Sequence, residues 1–530
     1  MWPLVFSLCG LGTALVFSLP TEGLLGTTLL LPLAGALLLW VSSRKAYKFH
    51  RLFALRISFL TLALSLRLWS SYEAWAAEPF KQVVGLAGGW QGLIFIRLEF
   101  GLDGLSLWML LLTAVLMPLT ILCSWKTRNA HSQAFFSLLL LLETGLFATF
   151  TCLDFLGFYV LYECSLLPMF LLIGLGGSRP RKVRAAYLLV LYTLIGSLAM
   201  LPCVLLMFSR RGSTSFELLC HEAWAPSRQL VLWWGLFAAF AVKVPLMPVH
   251  LWLPEAHVEA STAGSVLLAG VLLKLGTYGL LRFNLPLLPY ASAYYGPLVL
   301  CISLVGLIYA SLTTLRQVDL KKVVAYSSVA HMSMVVLALF TLSDLGAIGA
   351  SFTMLAHGVV SPAMFLCVGF LYDRAHTKAL KYLGGAATAM PLFSLFFFIF
   401  SLSNMALPLT PNFVGEFLCL SGVFAHNGVA LAGALVGVLL RAAYTLWAYA
   451  RVVHGMPKIQ AFEGMADLNR REFYTLLPLL RIAIWWGLKP SAVLDSLSSS
   501  LWFWHQCALA LNREGRGSTM VDRALTVLSF

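Results

Sequence analysis

Charged residues are scarce in this sequence. They make up 11% of its 530 residues, against 60% hydrophobic residues, and the mean hydropathy is +0.86. A chain with so little charge cannot cover several soluble domains with a hydrated surface. The composition therefore excludes a soluble multidomain protein and predicts a polytopic, all-α membrane protein.

Clustered cysteines are also lacking. The ten cysteines form no C-x-x-C pair, and most of them lie inside apolar stretches. Metal or iron–sulfur ligation needs clustered thiolates, so we expect no metal and no cofactor in this chain. The glycine-rich run 174–177 precedes no strand pattern and is not a dinucleotide fingerprint. Any electron transfer linked to the function is therefore expected in other chains.

The N-terminus lacks the usual targeting patterns. Residues 2–19 are apolar but carry no positively charged n-region, which disfavours a signal peptide and favours a retained interfacial or spanning helix. No amphipathic, Arg-rich transit sequence is present either. This fits synthesis inside an organelle or a bacterium.

Long apolar stretches account for most of the chain. A bilayer core of about 30 Å needs roughly 20 apolar residues per helix. This rule predicts fourteen spanning helices, near 23–41, 52–70, 104–124, 134–152, 155–175, 185–208, 229–256, 260–282, 297–315, 323–343, 345–372, 384–424, 428–450 and 473–489.

Prolines are expected to break two of these helices. The stretch 384–424 would be about 60 Å long as one straight helix, and it contains P-x-x-P at 408–411. The stretch 229–256 contains the same motif at 245–248. Paired interruptions are typical of inverted repeats with a site at the membrane midplane, and their spacing favours repeats of about five helices. Plain structural kinks are the alternative.

Lys and Arg residues occupy alternate loops. Because such residues gather on the side from which a membrane protein is inserted, this pattern supports the fourteen crossings and explains the net charge of +14, which leaves little support for nucleic-acid binding. The loops carry Arg44, Lys45, Lys48 and Arg51; Lys126 and Arg128; Arg179, Arg181, Lys182 and Arg184; Arg316, Lys321 and Lys322; Arg374, Lys378 and Lys381; Arg451, Lys458, Arg470 and Arg471.

Ionisable residues inside the apolar stretches are the candidate functional residues. A charge at the bilayer centre costs at least about 2.5 kcal/mol, so it persists with a partner or a wet path. Buried lysine and histidine can exchange protons near neutral pH, which predicts proton movement. A purely structural, hydrogen-bonded role is the alternative for each residue. The candidates are Glu163, Lys243, Lys274 and Glu416, with Glu143, His331 and His357 in addition.

Three runs of residues carry a resemblance to a known family. Residues 158–169, 243–260 and 272–279 resemble the subunit 4 family of antiporter-like, proton-pumping subunits of NADH:ubiquinone oxidoreductase, respiratory complex I, especially its algal and plant mitochondrial members. The resemblance covers roughly 23–490. It implies fourteen helices with two inverted five-helix repeats and two broken helices. The expected divisions are an N-terminal extension 1–22, N-terminal helices 23–124, repeats 134–282 and 297–450, and a last helix with a tail at 473–530.

The resemblance also implies roles for the candidate residues. Glu163 and Lys243 match a pair whose ionic contact controls proton release by the lysine. Lys274 matches a central relay lysine, and His331 and His357 match polar members of the same axis. Glu416 matches a terminal acid, where the sister subunits carry lysine. Two residues depart from the family pattern: Leu409 replaces a usual glycine, and Arg441 lies in an otherwise apolar helix.

The function implied by the resemblance is proton translocation. Electron transfer from NADH to quinone in other subunits would drive it, so the chain would be an enzyme as a subunit of a proton-translocating NADH:ubiquinone reductase. FMN, iron–sulfur clusters and ubiquinone are expected in those other subunits. The expected partners are membrane-arm subunits, especially the two sister antiporter-like subunits, and lipids. The expected location is the mitochondrial inner membrane, or alternatively a bacterial plasma membrane. A subunit of a multi-subunit cation/proton antiporter and a purely structural subunit are the rival functions.

Overall fold

The computed structural model describes residues 23–43, 46–73, 80–85, 98–126, 132–177, 180–222, 224–456 and 465–501. The predicted extension 1–22 lies outside these residues. Long helical segments dominate the described chain. In chain order they are α1 Leu24–Val41, α2 Tyr47–Ser70, α3 Gly104–Cys123, α4 Ser132–Thr151, α5 Phe155–Gly176, α6 Lys182–Arg211, α7 Pro226–Lys243, α8 Trp252–Glu259, α9 Thr262–Leu287, α10 Gly296–Leu315, α11 Leu320–Leu339, α12 Asp344–Ala375, α13 Pro391–Asn404, α14 Pro411–His426, α15 Gly428–Val453 and α16 Arg470–Leu488.

These helices match the crossings predicted from the sequence. Within the described residues, 11 helices are long and apolar enough to cross a membrane. Three further crossings come from α7 with α8, from α13 with α14, and from α16. The predicted fourteen crossings therefore each correspond to a helix or to a pair of half-helices.

Both predicted breaks are present. The first separates α7 from α8 around Pro245 and Pro248, and the second separates α13 from α14 around Pro408 and Pro411. Pro411 begins α14, where its missing N–H costs no helical hydrogen bond. Leu409 has φ 75°, a left-handed conformation that favours glycine. Leucine thus retains a glycine-type geometry at the position where the sequence departs from the family pattern.

The start of the second broken helix differs from the prediction. A short helix, Ala386–Ala389, comes first, and α13 begins at Pro391 rather than at residue 384. Met390 has φ −135° and ψ 73°, because a residue before proline is driven away from the helical region.

A small antiparallel hairpin was not predicted. Strands β1 Lys81–Gly85 and β2 Glu99–Leu102 pair with each other just before α3. Strands of four and five residues are too short for their alternation to stand out in an apolar sequence. The hairpin is a local addition to an all-α fold.

The described part of the C-terminal tail packs on its own chain. Residues 491–501 are helical, and the hydroxyl of Ser500 accepts a hydrogen bond of 2.7 Å from the backbone N–H of Gly104. Trp108 Nε1 donates to Ser496 Oγ in the same contact. This segment therefore covers the start of α3.

The centre of the molecule is formed by α9 and α12. Each contains an 18-residue window that is 100% buried, and α12 packs against α9, α11 and α14. The predicted site residues on these helices therefore lie inside the bundle, away from its lipid-facing surface.

Candidate functional site

Four buried side chains from four different helices lie next to one another at the core of the bundle. We call it the central polar chain: Lys274 of α9, His357 of α12, His331 of α11 and Glu416 of α14. Each is at most 3% exposed. The sequence predicted all four residues, and the structure brings them together.

Lys274 lies between two π-helical turns, Leu268–Leu272 and Leu280–Asn284. A π turn inserts an extra residue into the helix and is frequent at functional sites. The ammonium group donates to the carbonyl of Ala269, five residues earlier, and its Nζ lies 2.8 Å from Nδ1 of His357. The altered helical turn thus provides a carbonyl that fixes the lysine beside the histidine.

The two histidines connect this lysine to the second broken helix. Their ring centroids are 5.2 Å apart. His331 Nε2 lies 3.0 Å from Oδ1 of Asn404, the last residue of α13, and its Nδ1 lies 3.3 Å from Oε1 of Glu416 on α14. His331 therefore contacts both sides of the break.

Glu416 has a second partner that the sequence analysis did not identify. The guanidinium of Arg441 on α15 pairs with Glu416 Oε1, and Arg441 is 0% exposed. The signal was present in the sequence, since Arg441 is a lone charge in an apolar stretch close to Glu416. Glu416 and Arg441 are therefore each isolated charges in the sequence but partners in the fold.

The first break holds Lys243 differently. Its Nζ donates a 2.9 Å hydrogen bond to the backbone carbonyl of Tyr162 and lies 3.1 Å from the centroid of the Tyr162 ring. Glu163 follows Tyr162 on α5 and is close enough for an electrostatic interaction with the lysine. The two side chains form no direct ion pair, so the expected Glu163–Lys243 contact is open in this conformation.

Glu143 lies apart from the central polar chain and from the first break. It is buried on α4 and accepts a 2.7 Å hydrogen bond from the hydroxyl of Thr61 on α2. No hydrogen bond or ion pair joins it to the other six predicted site residues, all of which lie in the described part of the chain. Its second carboxylate oxygen has no hydrogen-bond partner among the described residues.

His257 was missed by the sequence analysis. It is fully buried on α8, it stacks on Phe365 with centroids 4.4 Å apart, and neither ring nitrogen has a partner among the described residues. It interacts electrostatically with Lys274 and with Lys321. Lys321 in turn donates to the carbonyl of Ala260 at 3.0 Å. Polar groups thus continue from the central polar chain toward the positively charged end of the bundle.

Comparisons with known proteins identify the family and the fold. Residues 152–441 match the family model described as "NADH:quinone oxidoreductase/Mrp antiporter, TM". NADH-ubiquinone oxidoreductase chain 4 of Arabidopsis thaliana is 45% identical over 89% of this chain and 95% of its own length. The protein of the same name from Chlamydomonas reinhardtii is 50% identical over 75% of this chain and 86% of its own.

Solved structures show the same fold. A chain of respiratory complex I from Thermus thermophilus with bound NADH is 28% identical with a TM-score of 0.82, over 91% of this chain and 99% of its own. A chain of the Mrp complex from Dietzia sp. is 19% identical with a TM-score of 0.79, over 95% of this chain and 99% of its own, which shows the fold alone. These matches confirm the predicted class: an all-α polytopic fold with inverted repeats and broken helices.

Proposed function

Because this chain belongs to the family of NADH-ubiquinone oxidoreductase chain 4, a proton-translocating membrane-arm subunit of respiratory complex I, we propose that protons cross it through the central polar chain. Lys243 and Glu163 would control entry of charge into that chain. The contact that carries the proposal is the 2.8 Å approach of Lys274 Nζ to His357 Nδ1.

The chemistry of these groups suits proton transfer. An amine and an imidazole at hydrogen-bond distance can share one proton, and imidazole can hand it on through its other nitrogen. His357 and His331 then offer successive rings toward the second break, where Asn404 holds Nε2 of His331. We propose that a proton moves between helices in short steps along these atoms.

The first break supplies the control element. Lys243 is held by a carbonyl and an aromatic face, neither of which neutralises its charge. Leaving a buried charge unpaired costs about 3–5 kcal/mol, which is comparable to moving one charge through roughly 130–220 mV. Closing and opening the Glu163–Lys243 contact would therefore store and release enough energy to push a proton onward.

In this proposal the electron carriers belong to other subunits of the complex. FMN, iron–sulfur clusters and ubiquinone would reside there, so this chain would respond to electron transfer without carrying electrons. The two sister antiporter-like subunits and membrane lipids would be its neighbours. The mitochondrial inner membrane is the proposed location, in line with relatives from plants and algae.

Replacement of the two lysines tests the proposal. Lys243→Ala and Lys274→Ala should each lower NADH-driven proton flux in assembled complex by about tenfold or more, since loss of a proton-transfer group commonly costs 10²–10⁴-fold. Proton uptake and NADH oxidation are measured together in reconstituted vesicles.

Lys381→Ala is the matched control, because Lys381 is exposed on the loop before α13. It should leave the flux at the wild-type level. Normal pumping by assembled Lys243→Ala or Lys274→Ala complex would show that the proposed proton path is wrong.

A further inference from the structure

A buried arginine faces the last acid of the central polar chain. Arg441 lies in the middle of α15, and its Nη1 pairs with Oε1 of Glu416. The same oxygen lies 3.3 Å from Nδ1 of His331. The family resemblance assigns no role to this arginine, and none of the preceding steps uses it.

The guanidinium group limits what its partner can do. Arginine stays protonated in proteins, whereas a buried lysine can lose its proton. If Glu416 took up a proton, the charge of Arg441 would lose its only ion-pair partner among the described residues in a site with no exposure. An uncompensated buried charge is strongly unfavourable, so the guanidinium opposes proton uptake by the carboxylate.

We propose that Arg441 keeps Glu416 a permanent carboxylate, so that His331 is the last group of the central polar chain to bind and release a proton. Arg441 is then a positioning residue that acts through Glu416. This inference rests on the proposed function, because it assigns the proton to one group of the proposed path.

The surroundings of His331 support this assignment. Groups from four helices face its ring, and they include both an attractive and a repulsive charge. The carboxylate attracts an imidazolium, while burial and the guanidinium behind it oppose that charge, so a proton on His331 can be released. The facing groups are His357 of α12, Asn404 of α13, Glu416 of α14 and Arg441 of α15.

The two breaks thereby acquire different chemistry. At the first break the cation is Lys243, which can release its proton and can separate from Glu163. At the second break the cation is Arg441, which cannot release its proton and remains in contact with Glu416. The first pair can act as a gate, and the second pair acts as a fixed dipole.

A double-mutant cycle tests the assignment. Glu416→Gln, Arg441→Met and the double variant are compared for NADH-driven proton flux in assembled complex. Each single variant leaves a buried charge unpaired, so each should lose about tenfold or more. The double variant removes both charges together, which buried pairs often tolerate, and its flux should recover to within about threefold of wild type.

Arg441→Lys supplies a readout that a purely structural role would not change. At neutral pH the lysine should restore the flux lost in Arg441→Met. At alkaline pH it can lose its proton, so flux should fall more steeply in Arg441→Lys than in wild type. A pH profile identical to that of wild type would contradict the proposal.

Other outcomes separate the two proposals. A double variant that assembles but pumps no better than Glu416→Gln, while Arg441→Met pumps normally, would make Glu416 the proton carrier and overturn the inference. If the single variants fail to assemble, infrared difference spectra of wild type and of the double variant serve instead. A protonated carboxyl band that appears in wild type during turnover and is missing in the double variant would overturn the inference. Absence of such a band in wild type would support it. Full flux in Lys274→Ala would overturn the proposed path itself, whatever the double variant does.

Discussion

Lys243 and Arg441 illustrate how the same formal charge is held in two ways. The ammonium of Lys243 lies against a backbone carbonyl and a tyrosine ring, whereas the guanidinium of Arg441 lies against a carboxylate. A carbonyl and a π face stabilise a cation without cancelling its charge. Of these two cations, only the lysine therefore lacks a direct ion pair in this conformation.

The arginine also changes what a substitution at Glu416 should do. The resemblance alone favours Glu416→Lys as a mild change, because the sister subunits carry lysine at this position. With Arg441 beside it, the new lysine would place two cations in one buried site, where like charges about 4 Å apart repel by about 4 kcal/mol at an effective dielectric constant of 20. We expect less assembled complex and lower proton flux for Glu416→Lys than for Glu416→Gln.

The same comparison in an Arg441→Met background is the control. There the lysine has no adjacent guanidinium, so Glu416→Lys should match or exceed Glu416→Gln. Higher flux for Glu416→Lys than for Glu416→Gln with Arg441 intact would contradict the expected repulsion.

The sequence identified the charged residues but not most of their contacts. Lys274 and His357 are 83 positions apart, and their meeting depends on the packing of α9 against α12. The preference of Lys243 for a backbone carbonyl depends on the position of Tyr162 in α5 and has no residue-type signal. The contact between Glu416 and Arg441 could have been predicted, since both residues are lone charges in adjacent helices.

Close packing of α14 against α12 sets the distance between Glu416 and the histidines. A Cβ atom on Gly415 would lie 3.0 Å from the Cα of Thr353, and one on Gly349 would lie 2.6 Å from the backbone nitrogen of Cys419. Small residues at such crossings allow membrane helices to approach closely. The half-helix that carries Glu416 is thus positioned by backbone contact.

A larger side chain at this crossing should displace α14. Gly415→Leu forces α14 away from α12, and such overpacking costs about 1–3 kcal/mol. We expect less assembled complex, and lower proton flux per assembled complex because Glu416 moves away from His331. Native gels and flux measurements on the same preparation separate the two effects.

Gly145→Leu on α4 is the matched control, because a Cβ atom there meets nothing within 4 Å. It should assemble and pump like wild type. If Gly415→Leu behaved like Gly145→Leu, the close crossing would not control the position of Glu416.

At the level of whole elements the sequence was a good guide to helices and a poor guide to their irregularities. Apolar length predicted the crossings, and prolines predicted both breaks. The π turns around Lys274 left no signal, because the residue types in Leu268–Leu272 and Leu280–Asn284 do not distinguish a π turn from an ordinary helical turn. Their cause lies in the packing of α9, which sequence periodicity does not contain.

The bundle as a whole has two chemically different ends. At one end Lys378 donates to the carbonyl of Val258 at 2.7 Å, close to Lys321 at the start of α11. At the other end Asp103 and Arg282 form a buried pair before α3 and near the end of α9. The loops that carry Lys321 and Lys378 therefore lie together at the first end, as the positive-inside pattern predicts.

Accessibility measurements on single cysteines test this orientation. We expect Lys182→Cys, at the start of α6, and Lys381→Cys, before α13, to react with a membrane-impermeant maleimide from the same side. That side should be the one on which NADH is oxidised, because positively charged loops remain on the side of insertion. Glu217→Cys is the control: it is exposed beyond the other end of α6 and should react from the opposite side. Labelling of Lys182→Cys and Lys381→Cys from opposite sides would refute the topology. Labelling of all three variants from one side would show leaky vesicles. A test that the vesicles of the same preparation are intact must exclude this leak.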